Sequence, residues 1–152
     1  MPKMAHLQRP LEMKRHDPTV TPMKALSIRH PWVDLILAGT KTIEIRTWAT
    51  RYRGSLLLHA SGSYGISERE AATRLKLPPP RPETLGAVVG IAELVDCRPV
   101  RREDWKNAGL PPPGGKLWAW VIADARPVGP VFHAGNRTLF EIAEEVVMSA
   151  AT

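Results

Sequence analysis

Fifteen prolines, gathered in clusters, set the first limit on what this chain can fold into. Each fixes its own φ, removes a backbone donor and interrupts a helix interior or a central strand. They fall at Pro2, Pro10, Pro18 and Pro22, at Pro31, at Pro78, Pro79, Pro80 and Pro82, at Pro99, at Pro111, Pro112 and Pro113, and at Pro127 and Pro130. That spacing favours strands and loops over long helices. At 152 residues and 43% hydrophobic content, the chain suits one domain that buries its own core.

Residues 1–22 carry Lys3, Arg9, Lys14 and Arg15 among four prolines, and their apolar residues have no period. They read as a flexible basic extension, able to touch phosphates or simply an undecorated tail. Residues 23–152 read as the folded domain. Met23 to Ile28 alternates in part and predicts a first strand. Pro31 suits the start of a helix, Trp32, Leu35 and Ile36 share one helical face, and Gly39 is a natural terminator. Ser55 to Ser61 is apolar through Leu56, Leu57 and Leu58, as in a strand buried on both faces. Ser67 with Glu70 resembles the capped start of a second helix, which should end near Leu77. Gly86 to Val95 is the strongest strand, and Gly86 and Gly90 predict a bulge or bend. Lys116 to Ala125 is another strand, broken by Pro127 and Pro130. Thr138 to Ile142 is a last short strand, and Glu144 to Ala151 a terminal helical turn. Five or six short strands with helices between them, without regular βαβ alternation, predict a small α+β barrel.

The stretch from Gly39 to Trp48 holds the candidate site. Ile43 and Ile45 fall on one face of a strand, with Thr42, Glu44 and Arg46 on the other. Lys41 and Glu44 sit on opposite faces of a straight strand. They meet only if Lys41 lies in the turn before it. Just beyond, Arg46, Arg51 and Arg53 interleave with Trp48 and Tyr52, a pattern suited to phosphate and base contacts.

Lys and Arg number 21 against 15 Asp and Glu, for a net charge of +6, which suits an anionic partner, with nucleic acid foremost. Cys97 is the only cysteine, so neither an intrachain disulfide nor a cysteine zinc cluster is available, and a reducing cytoplasm is the expected compartment. Five dispersed histidines give no metal-ligand spacing, and no cofactor is implied. No apolar run approaches the roughly 20 residues that cross a bilayer. His59 and Ser61 end a buried strand, where a histidine is most often a satisfied core group.

Leu26-Ser27-Ile28-Arg29-His30-Pro31-Trp32, followed by Gly39, Lys41, Glu44 and Arg46 in the spacing Gly-x-Lys-x-x-Glu-x-Arg, resembles the signature of the ASCH domain (activating-signal-cointegrator homology) family. Arg53-Gly54 with the strand to Ser61, the strand carrying Glu93, and Lys116 to Trp120 extend the resemblance over about residues 23 to 142. It implies a PUA-like fold, a β-barrel with helices packed on it, and a cleft lined by the signature residues that binds RNA or other nucleic acid. Some members are similar to amidohydrolases of N4-acetylcytidine, and others are associated with ribonuclease activity. The amidohydrolase group uses a lysine, a threonine three residues on and a later glutamate. Lys41 and Glu93 match the outer two, and Glu44 stands where that group has threonine.

The leading expectation is a module that binds a single-stranded or flipped base, RNA before DNA. Lys41, Glu44 and Glu93 would read the base edge. Arg46, Arg51 and Arg53 would meet phosphate, and Trp48 and Tyr52 would stack. The alternative is a hydrolase on RNA or a modified nucleoside, with Lys41, Glu44 and Glu93 as its catalytic groups.

Overall fold

The computed structural model of the protein describes residues 22–108 and 116–151, with backbone alone after Val147. The expected basic extension up to residue 21 and the Pro111–Gly115 loop lie outside the described residues. The element order is β1 (Pro22–Ile28), α1 (Trp32–Leu37), β2 (Ile43–Arg46), β3 (Gly54–Ala60), α2 (Ile66–Arg74), β4 (Ala87–Pro99), α3 (Trp105–Ala108), β5 (Trp118–Phe132), β6 (Phe140–Ala143) and α4 (Glu144–Ala151). Short 3₁₀ turns at Pro82–Thr84 and Arg102–Asp104 lead into β4 and α3.

The strands form one sheet in the order β2-β5-β4-β3-β1-β6. Among the described residues only the β1–β3 pair is parallel. The fold is α+β with six strands, as expected, but the sheet is open rather than closed into a barrel. Its edges are β2 and β6, each of four residues, and among the described residues each pairs on one side only. Among the described residues no ladder joins β2 to β6, so the sheet stays open.

The central strands are buried on both faces. Leu26, Leu56, Leu58, Leu94, Trp120 and Ile122 pack on one side with Val33 and Ile36 of α1. Ala25, Leu57, Val88, Ile142 and Val147 pack on the other, beneath α4. Leu56, Leu57 and Leu58 are each 0% exposed, so the continuous apolar run is a two-sided strand. A third cluster, Ile43, Ala108 and Ala119, ties α3 to the β2–β5 edge.

Three local expectations change. α1 buries Val33 and Ile36 rather than Trp32 and Leu35, which leaves Trp32 half-buried. The cap of α2 is Gly65, not Ser67; the buried Glu68 carboxylate takes the Gly65 N–H at 2.5 Å and the Ser67 hydroxyl at 2.7 Å. β5 runs straight through Pro127 and Pro130. It pairs with β2 only as far as Val121, so beyond that point one edge has no ladder to lose, and proline is tolerated there. Gly90 lies at one of three register shifts between β4 and β5, as expected of a bulge, whereas Gly86 precedes the strand. At Gly90 a Cβ would stand 2.4 Å from the Leu37 side chain and 3.0 Å from the Arg126 carbonyl, so only glycine lets α1 and β5 approach.

Candidate functional site

Gly39, in the left-handed region at φ +80°, ends α1 and turns the chain so that Lys41 precedes β2 rather than lying in it. The lysine folds inward and is 2% exposed. Its Nζ donates to the carbonyls of Ile43 and Ala108, both at 2.6 Å, and lies 3.2 Å from Glu44 Oε1. An ammonium has three protons, and all three have partners inside the protein. Burial lowers the Lys41 pKa, while Glu44 opposes that shift.

Glu44 is held from both sides. Oε1 faces Lys41, and Oε2 accepts from Arg46 Nε at 3.0 Å. Arg46 in turn donates through Nη2 to the Ser27 carbonyl at 2.5 Å, which bridges the gap between β2 and β1. The carboxylate is 8% exposed, and that sliver opens into a cleft of about 400 Å³. A carboxylate accepts at about four lone-pair sites, so this one retains capacity after its two internal bonds.

The cleft is walled by Ser27, Arg29, Trp32, Arg46, Asn136 and Arg137, with Ser61 at its side. Three arginines thus line the cleft into which one carboxylate opens. Arg29 also reaches the buried Glu68, 3.2 Å away, whose pKa is lowered first by the Gly65 N–H and the Ser67 hydroxyl. The short segment before β6 carries Asn136 and the exposed Arg137 to the rim. Lys41, Glu44 and Arg46 are therefore brought together as the spacing implied. Arg29, Asn136 and Arg137 were not singled out as cleft residues, and Trp32 was expected in the core rather than at the cleft. Arg29 and Trp32 lie in the Arg-His-Pro-Trp run after β1 and were legible as its continuation. Nothing in the sequence marks residues 136 and 137.

The other expected residues lie elsewhere. Glu93 faces Ala123 on β5 and bonds the Ser55 hydroxyl at 3.1 Å. It precedes Leu94, which enters the Trp120 side of the sheet, whereas Glu44 pairs directly with Trp120. Glu93 therefore projects from the opposite face and does not join Lys41. It lies near Tyr52, whose pKa is raised by burial and then by this neighbouring charge. The Tyr52 hydroxyl donates to the Ser55 carbonyl at 2.5 Å, a turn-closing contact. Trp48 packs edge-on against Trp120, with ring centroids 4.8 Å apart, and its carbonyl accepts the Trp120 indole N–H. Arg53 bonds the Thr50 and Tyr52 carbonyls and pairs with Asp96 at 3.3 Å. Arg51 is exposed, and with Arg53, Thr50 and Trp118 it lines a separate shallow depression.

His59 is buried, as expected of a satisfied core histidine, with both nitrogens bonded: Nδ1 to Ser27 Oγ at 2.8 Å and Nε2 to the His133 carbonyl at 2.6 Å. Desolvation holds its pKa below the ordinary histidine value. A depressed histidine pKa contributes stability that is complete above the unfolded value, about 6.5. That stability is lost as pH falls toward the folded value, because only the unfolded chain takes the proton. Urea midpoints are therefore expected to drop between about pH 7 and pH 5, with the drop flattened in His59→Asn. A midpoint independent of pH in this window would contradict the buried neutral ring.

Among the described residues no group of histidine, cysteine or carboxylate side chains is arranged to hold a metal ion. None of their helices is long and apolar enough to cross a membrane.

A family model described as ASCH domain matches residues 26–132. Activating signal cointegrator 1 from Mus musculus is 34% identical over 80 residues, and that from Homo sapiens is 32% identical over 80 residues. Each match takes in 47% of this chain and 14% of the relative, so the chain corresponds to a small part of those proteins. Among solved structures, ASCH from Zymomonas mobilis aligns with a TM-score of 0.57 at 16% identity, over 83% of this chain and 91% of that one. A tyrosine-to-phenylalanine mutant of the same protein gives 0.58 at 16% identity, over 84% and 94%. At that identity the likeness carries the fold.

Proposed function

Since the chain belongs to the ASCH domain family, we propose that its cleft binds nucleic acid, RNA before DNA, by taking in one single-stranded or flipped base. The observation that carries this reading is a carboxylate pinned between Lys41 and Arg46 at the wall of a cleft bearing two further arginines, Arg29 and Arg137. A fixed carboxylate accepts from base amino and imino N–H groups. Arginines clamp phosphate, and the half-buried Trp32 offers an indole surface for stacking.

Roles within the signature shift accordingly. Lys41 is the group that holds Glu44 in place, rather than a group that reads the base. Glu44 reads the base edge, and Arg46, Arg29 and Arg137 face the phosphate. Arg51 and Arg53 serve phosphates farther along a strand, outside the cleft. The hydrolase alternative that uses Lys41 as acid or base gains nothing from this geometry, because the amine is surrounded by its own acceptors.

Fluorescence anisotropy with a short single-stranded RNA tests the proposal. Affinity is expected to fall steeply with salt, with a slope of about −0.7 per phosphate neutralised. Arg137→Ala and Arg29→Ala should each weaken binding and reduce the slope by about one contact, while Arg102→Ala, in the turn before α3, should not. Glu44→Gln should weaken binding with little change in slope, since it removes an acceptor and no phosphate contact. Affinity unchanged in both cleft-arginine variants would sink the assignment.

A further inference from the structure

A second arrangement adjoins the cleft through Ser27, which lines it. Ser27 on β1 and His59 on β3 are register partners in the parallel pair, which sets their side chains on one face. Ser27 Oγ lies 2.8 Å from His59 Nδ1, and His59 Nε2 lies 2.6 Å from the His133 carbonyl. A carbonyl only accepts, so the ring proton sits on Nε2. Nδ1 is then bare, and its bond must be donated by the Ser27 hydroxyl. The tautomer is thus set by the backbone of residue 133. The ring is 1% exposed, while Ser27 is half-buried and lines the cleft.

The surroundings of Ser27 are equally defined. Its Oγ accepts the Asn136 N–H at 3.3 Å, and its own carbonyl is held by Arg46. Gly135 packs so closely that a Cβ there would stand 2.7 Å from both Ser27 Oγ and His59 Cε1. A hydroxyl committed to a neutral imidazole, an imidazole oriented by a third group, and cationic side chains beside them make up the arrangement of an activated nucleophile.

We propose that Ser27 is a covalent nucleophile, with His59 as its base and the His133 carbonyl as the group that orients the ring. The substrate class is a carboxylic ester on an anionic molecule that the cleft arginines can hold. Ser27 Oγ bonds to the ester carbonyl carbon, its proton passes to His59 Nδ1, and the carbonyl π pair moves to oxygen near Arg46. As that pair returns, the ester C–O bond breaks and the leaving alkoxide takes the proton from Nδ1 as an alcohol. Water then attacks the acyl-serine with His59 again as base, which releases the carboxylic acid and restores the hydroxyl. No metal, oxidant or reductant enters. The proposal stands apart from nucleic-acid binding, although it uses the same cleft.

The test is reaction of the full chain with an alkyl fluorophosphonate. Ser27 Oγ would bond to phosphorus, fluoride would leave with the bonding pair, and the proton would pass to Nδ1. Intact mass and peptide mapping should find one adduct, on Ser27, and none in Ser27→Ala. His59→Asn retains an oxygen acceptor near the place of Nδ1 but no base, and should be labelled about 10²–10⁴-fold more slowly. Hydrolysis of p-nitrophenyl acetate should follow the same order. Cooperative urea unfolding and an unchanged circular-dichroism spectrum report that each variant is folded. No adduct on the folded protein, labelling that persists in Ser27→Ala, or an adduct on Ser61 instead would overturn the proposal. Loss of the adduct with RNA binding retained removes the nucleophile alone, and an adduct on a protein that binds no RNA removes the binding reading alone.

Discussion

Lys41→Ala is expected to lower folding stability by about 3–5 kcal/mol, the range for removing one member of a buried ion pair. The amine is enclosed, and its loss leaves the Ile43 and Ala108 carbonyls without their donor and Glu44 without its counter-charge. Lys41→Met, which keeps the apolar stem, should recover only the packing part of that loss. Urea unfolding measures both. A loss under about 1 kcal/mol in the alanine variant would place the amine in solvent, since exposed pairs are worth no more. Under the proposed role of the cleft, the same substitution should also weaken RNA binding by freeing the Glu44 carboxylate.

Asp104→Ala is expected to cost about 3 kcal/mol, from a position outside the cleft. Asp104 is 3% exposed; it accepts both Arg98 Nη groups at 2.7 and 2.9 Å and the Arg101 N–H at 2.6 Å. The Arg98 bonds, foremost, hold its pKa below the ordinary carboxylate value. This contribution is therefore complete above the unfolded pKa and lost as pH falls through the folded one. Asp104 ends the turn that leads into α3, whose Ala108 carbonyl receives Lys41 and whose Asn107 carbonyl receives the Thr42 N–H. The clamp thus positions the turn that positions Glu44. Asp104→Ala combined with Lys41→Ala should cost less than the two single losses added, because each loosens the same contact between α3 and the turn. Strict additivity of the urea-derived values would break that chain of support.

Legibility in the sequence followed the range of the interactions. The turn placement of Lys41 was readable because Gly39 and the period-two alternation of Ile43 and Ile45 are local. The two-sided burial of Leu56 to Leu58 was readable for the same reason. Glu93 was misplaced because its face depends on three register shifts between β4 and β5, which no local pattern encodes. β5 was cut short at Pro127 because the absence of a partner on one of its edges is a property of the sheet, not of the strand. Barrel closure failed on similar grounds: strand count was legible, but pairing between the first and last strands in the sheet order was not. Arg137 entered the cleft through β6, a pairing that joins residues more than a hundred positions apart.

That last pairing has a bearing on when the protein becomes competent during synthesis. β6 lies antiparallel on β1, with Phe140 opposite Ala25 and Ala143 opposite Pro22. Asn136 and Arg137 reach the cleft from the segment just before that strand. A ribosome must therefore deliver nearly the whole domain before the cleft has its far wall. Until β6 docks, β1 keeps one edge unpaired, the part of the chain most prone to join a neighbour's strand. A nascent or prematurely ended chain that stops near residue 130 would carry Lys41, Glu44 and Arg46 intact and still lack a working cleft. Release of the last strand, rather than formation of the signature turn, marks the point at which the cleft gains its far wall.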